Sequence, residues 1–103
     1  MAKPVKALTH RELMKPYLKD KEFANKIELG VKRLKVISQI VEMRENLELT
    51  QAELAERMGV SQAYIARIEN DEATNLSLET LLKIATALNG ELEIRIRSRK
   101  KDA

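Results

Sequence analysis

At 103 residues with 44% apolar content the chain can build one modest core, and 19 Lys and Arg against 16 Asp and Glu leave a net charge of +3. It has no cysteine and one histidine, His10, which excludes disulfides, thiolate zinc sites, cysteine nucleophiles and histidine-cluster metal sites. Tyr17, Phe23 and Tyr64 are the only aromatics, too few for a base-stacking sheet, and no apolar run approaches the roughly 18 residues of a membrane helix.

Residues 1–8 read as loose, with Pro4 near the start and Val5–Leu8 as a short, weak strand candidate. Thr9-His10-Arg11-Glu12 is a capping-box pattern, in which Thr9 caps and Glu12 reaches back. A short helix is expected to follow, to about Lys15 or Leu18, because Pro16 argues against a long one. Asp20 then reads as a second N-cap, with Glu22 suited to the positive end of a helix. From there Phe23, Ile27, Val31, Leu34, Ile37 and Val41 form a helical stripe. It fits one long helix to Asn46 or two helices broken near Gly30.

The middle is more clearly punctuated. Thr50-Gln51-Ala52-Glu53 is a second capping box, starting a helix at Gln51 with Leu54, Ala55 and Met58 on its buried side. Gly59 suits the left-handed end of that helix. Ser61 caps a further helix, Gln62 to about Glu69, with Ile65 and Ile68 inward, and a polar loop follows over Asn70 to Asn75. Ser77 caps a last helix with Leu78, Leu81, Leu82, Ala85 and Leu88 on its apolar side, ended by Asn89-Gly90. Met14, Met43 and Met58 are expected as core fillers, and His10 as an exposed helix residue. Residues 91–97, Glu-Leu-Glu-Ile-Arg-Ile-Arg, alternate as a strand does.

Two short helices joined by Gly59-Val60-Ser61 must cross steeply. Ala55 permits close approach, Gly59 the reversal, and Ile65 fills the wedge. This is the pattern of a helix-turn-helix, whose second helix is offered to a major groove. The outward residues of that helix strengthen it. Gln62 can pair with adenine, Arg67 with guanine, and the methyl of Ala63 can rest on a thymine methyl. Tyr64 beside them suits either packing or a contact with DNA, and Arg67 is also spaced for an ion pair with Asp71.

Residues 50–70, TQAELAERMGVSQAYIARIEN, resemble the XRE family of phage-repressor-type helix-turn-helix proteins, over about residues 36–89. The resemblance implies an all-α, five-helix DNA-binding domain acting as a dimer on double-stranded DNA. It implies that Gln51 contacts a phosphate and buttresses the recognition helix, that Gln62, Ala63 and Arg67 read bases, and that Tyr64 and Asn70 contact the DNA backbone. Arg44 and Glu69 match a family pair bridging the first helix to the end of the recognition helix, a structural role. Asp71 and Glu72 depart from the family, which often has glycine and a basic residue there. Acid at these positions repels phosphate.

The lone strand needs a partner, and a second copy is the better one. Antiparallel pairing centred on Ile94 sets Glu93 opposite Arg95, Glu91 opposite Arg97 and Leu92 opposite Ile96. Leu92, Ile94 and Ile96 share one face, so a two-fold axis through Ile94 makes a homodimer ribbon of residues 92–96. Two recognition helices then lie about 34 Å apart, which implies an inverted-repeat operator. The alternative is addition of the strand to a different protein's sheet edge.

Three regions follow: a basic helical extension over 1–35, the helix-turn-helix domain over 36–90, and a dimerising strand with a basic tail over 91–103. Their charges are +6, −5 and +2. The extension and the lone strand resemble HigA-type antitoxins through Asp20-Lys21-Glu22-Phe23, with Lys21 where the family usually has proline. That resemblance implies a HigB/RelE-like ribonuclease toxin as partner, with the 1–35 extension as a candidate toxin contact, and repression of the chain's own operon. The acidic middle, including Glu42, Glu45, Glu48, Glu53 and Glu56, could face a basic toxin. The other readings are a free-standing phage-like repressor and a protein-interaction module that has lost DNA binding. No enzyme is expected, since no nucleophile–base pair, metal set, cofactor motif or phosphate loop is visible. A cytoplasmic location is expected, without membrane attachment.

Overall fold

The computed structural model describes residues 9–72 and 76–99, apart from the side chains of Met14, Tyr17 and Leu18. Val5–Leu8, the side chain of Met14 and the C-terminal end of the basic tail lie outside the described residues. Four helices are present among the described residues: α1 (His10–Asn46), α2 (Gln51–Met58), α3 (Gln62–Glu69) and α4 (Leu78–Ala87). The fold is all-α, as expected. Within the domain the first helix is the C-terminal part of α1, followed by α2, α3 and α4 among the described residues.

The expected break after Lys15 or Leu18 does not occur. Helix α1 runs unbroken for 37 residues through Pro16, Asp20 and Gly30. Proline removes one ladder bond and crowds the carbonyl four residues back, yet its own φ is helical, so an exposed helix can continue past it. Asp20 is an interior residue rather than a cap. The capping box at the start does form: the Glu12 N–H donates to Thr9 Oγ1 at 3.1 Å and the Thr9 N–H to Glu12 Oε2 at 3.3 Å.

The chain divides into two compact units, residues 1–34 and 35–103. In the first unit Phe23, Ile27, Val31 and Leu34 are exposed, so the stripe read from the sequence is not a core stripe there. In the second unit the core consists of Ile40, Leu49, Leu54, Ala55, Ile65, Ile68, Ile84 and Leu88, with Val36, Met58, Val60, Tyr64, Leu76, Leu81 and Ala87 packed around it. Ile37 is buried too, but Ile40 takes the place expected of Val41. In α4 the core face is Ile84 and Leu88, while Leu78 and Leu82 are exposed. The apolar arc of that helix is broad, running from Ile84 through Leu88, Leu81 and Leu78 to Leu82, so spacing alone could not choose which part of it is buried. Met43 is exposed and Met58 is a partial core filler.

Residues 91–97 run without regular secondary structure in the single chain. An isolated strand has no ladder to join, so the alternating pattern alone does not produce one.

Candidate nucleic-acid interface

Helix α2 starts at the second capping box. The Thr50 side chain accepts from the Glu53 N–H at 3.0 Å and the Thr50 N–H donates to Glu53 Oε1 at 3.0 Å. The backbone hydrogen bond to Thr50 comes first among the causes that hold the Glu53 carboxyl below its usual range. The helix ends at Gly59, whose φ of 69° is left-handed. The Gly59 and Val60 N–H groups fold back onto Glu56 and Ala55 carbonyls at 3.1 and 3.0 Å. Ser61 then caps α3 by accepting from the Tyr64 N–H at 3.1 Å. Ala55 and Ile65 are both buried where the two helices meet. A small residue, a left-handed glycine and an apolar wedge thus produce the helix-turn-helix geometry.

The buried residues of α3 are Ile65 and Ile68. At about 100° per residue, Ala63, Arg67 and Asn70 fall on the opposite side and Gln62 at its edge, and all four are exposed. Ala66, half-buried one turn after Gln62, lies among them. It was missed in the sequence, though its i+4 spacing from Gln62 marks it. As a small residue at the middle of the face it leaves room for close approach. Tyr64 lies off this face, with its ring packed against the core.

Helix α3 is fastened at its C-terminal end. Arg44 Nε and Nη2 donate to the Glu69 carboxylate at 2.7 and 2.9 Å, and Arg44 Nη1 donates to the Leu49 carbonyl at 2.7 Å. Gln51 Nε2 donates to the same carboxylate at 2.9 Å. The side chains of Arg44 and Glu69 are only 14% and 5% exposed. Burial by itself would raise the Glu69 carboxyl, but the hydrogen bonds from Arg44 and Gln51 and the Arg44 charge outweigh it and hold it below the usual carboxylate range. The hydrogen bond to Glu69 raises Arg44 in turn, against the effect of burial. The outcome is a fork that ties α1, the start of α2 and the end of α3 together. It fixes the angle at which the exposed face is presented, and brings Gln51 beside it.

Arg57 Nη1 donates to the Ala87 carbonyl at 2.9 Å, joining the end of α2 to the end of α4. The sequence carried no signal for this contact. After α3, Asp71 holds a left-handed φ of 58°. Among the described residues no group of three or more His, Cys, Asp or Glu could hold a metal ion, and no helix is long and apolar enough to cross a membrane.

A family model described as helix-turn-helix, HTH_3, matches residues 40–94, which is more than half of the chain. A Haemophilus influenzae protein named an uncharacterized HTH-type transcriptional regulator is 40% identical over 62 residues, covering 60% of this chain and 62% of that protein. A solved toxin-antitoxin module from Streptococcus pneumoniae superposes with a TM-score of 0.56 at 30% identity, over 72% of this chain and 80% of that one.

Proposed function

Because the chain belongs to the HTH_3 helix-turn-helix family, we propose that it is a DNA-binding transcriptional regulator, and specifically an antitoxin that neutralises a ribonuclease toxin and represses its own operon. The exposed face of α3 carries this reading. Gln62 and Arg67 supply the donors and acceptors that recognise adenine and guanine edges, and Ala63 supplies a methyl contact for thymine. Gln51, at the N-terminus of α2, approaches a phosphate, where the helix dipole favours negative charge. Asn70 adds a contact to the DNA backbone. Tyr64, packed on the core, sits beside these residues and reaches at most a phosphate.

Dimerisation completes the site. Pairing of residues 91–97 with a second copy about Ile94 aligns Glu93 with Arg95 and Leu92 with Ile96. Two recognition helices on a dyad read an inverted repeat one DNA turn apart. The toxin partner, of the HigB/RelE-like kind, is supported by the likeness to a toxin-antitoxin module.

Selection of bound sequences from a random DNA pool tests the DNA reading. The expected product is an inverted repeat whose enrichment disappears with Gln62→Ala and Arg67→Ala together. Growth rescue by this chain of cells expressing the adjoining gene tests the antitoxin reading. Operator binding without rescue would leave a free-standing repressor.

A further inference from the structure

The outward arc of α3 sets long and short side chains in a fixed order. At about 100° per residue, Ala66, Ala63 and Arg67 stand about 40°, 100° and 140° around the axis from Gln62. Two one-carbon side chains are therefore walled by Gln62 on one flank and Arg67 on the other. Ala63 is exposed and Ala66 half-buried. Among the described residues neither belongs to the core or to the side chains packed around it, so the interior does not fix their size. Ala55 is the contrast, 2% exposed where α2 meets α3. The turn that carries Ala66 is also the anchored one. Glu69, three residues on, accepts hydrogen bonds from Arg44 and Gln51 at 2.7 and 2.9 Å. A methyl at position 66 thus has a fixed place on the face.

We propose that Ala66 and Ala63 together form a floor that seats the 5-methyl groups of two operator pyrimidines. The inference rests on the DNA-binding reading and extends it from a single methyl contact at Ala63 to a paired one. Base edges in the major groove present hydrogen-bonding groups and one apolar group, the 5-methyl that thymine carries. The two alanines are the apolar part of a face that is otherwise polar. Residues three apart on a helix hold their Cβ atoms about 5–6 Å apart. Bases of one strand rise by about 3.4 Å, so the pair spans methyls within two base steps of each other. Each operator half-site then holds two such pyrimidines beside the adenine met by Gln62 and the guanine met by Arg67. Thymine and 5-methylcytosine offer the same group, and the test separates the two sources.

The test uses the full chain and the operator selected from the random DNA pool, as a labelled duplex. Deoxyuridine replaces each thymine in turn, in both half-sites, which deletes only the methyl. Two positions are expected to lose affinity, each by about fifteenfold for the dimer, or about fourfold for each buried methyl. In duplexes carrying cytosine at those positions, 5-methylation should tighten binding by a similar factor. A response to one base alone would keep the floor and name its source. Ala66→Gly should abolish the preference for thymine over uracil at one position and spare the other, and Ala63→Gly should do the converse. Each preference is a ratio within one variant, so a loss of helix stability cancels. Equal affinity for methylated and unmethylated bases throughout, or preferences that Ala66→Gly leaves unchanged, would overturn the proposal. An enriched operator without methyl preference would remove the floor and keep the DNA-binding reading. No enrichment at all would remove both.

Discussion

Arg44 and Glu69, 25 positions apart in the chain, meet through two hydrogen bonds of 2.7 and 2.9 Å that close a bidentate fork. Planar guanidinium against carboxylate is the strongest common side-chain pairing, and here it is nearly dry. Glu69→Ala would leave the Arg44 guanidinium with little water and one remaining carbonyl partner. The expected loss is about 3–5 kcal/mol of unfolding free energy, the range for removing one partner of a buried pair. Chemical denaturation measures it. A loss below about 1 kcal/mol would mean that the pair behaves as an exposed one.

The same fork sets an acid limit. Glu69 is lowered in the folded state, so its stabilisation is complete above the ordinary carboxylate pKa of about 4.3. It fades as pH falls through the lower folded value. Stability should therefore be insensitive to this group near neutral pH and drop in the acid range. In Glu69→Gln, thermal melts between neutrality and acid should have a shallower pH dependence than wild type. An unchanged acid slope would assign the effect to other carboxylates.

Base-reading and phosphate roles separate by sequence dependence. Arg67→Ala should cost about 1–3 kcal/mol of operator binding and relax one position in each half-site. Gln51→Ala should weaken binding to all sequences alike, and should also loosen α3 because its amide holds Glu69. Fluorescence titrations with matched and mismatched operators tell the two apart. Indistinguishable profiles would remove the assignment.

Two left-handed positions respond oppositely. Gly59→Ala places a Cβ at a φ of 69° with nothing within 4 Å, so its cost is backbone strain alone, about 1–2 kcal/mol. Asp71→Gly puts glycine where φ is already 58° and removes a negative charge next to Asn70. It should bind operator several-fold more tightly, with a steeper salt dependence. Unchanged affinity would place Asp71 away from the phosphates.

The strand ribbon can be tested by exchanging charges. Glu93→Arg sets arginine against the partner's Arg95 and should weaken the dimer, while Glu93→Arg with Arg95→Glu should restore it. Analytical ultracentrifugation reads the dissociation constant. Failure of the double variant to recover would exclude a register centred on Ile94.

The helix-turn-helix was legible because its instructions are local. The pattern Thr50 with Glu53, Gly59 and Ser61 states where two helices begin and end within a few residues, and the observed caps follow it. The outward residues of α3 were legible for the same reason, since the inward Ile65 and Ile68 define the opposite side of one short helix. Other features depended on the whole molecule. Pro16 and Asp20 carry local stop signals that the long α1 overrides. Ile40 rather than Val41, and Ile84 rather than Leu82, became core because packing against α2 and α3 chooses one of several faces that spacing allows. Arg57 finding the Ala87 carbonyl is likewise a product of how α2 meets α4. Local hydrogen bonding and backbone preference are encoded in neighbouring residues, whereas the choice of a buried face is a property of what lies across from it.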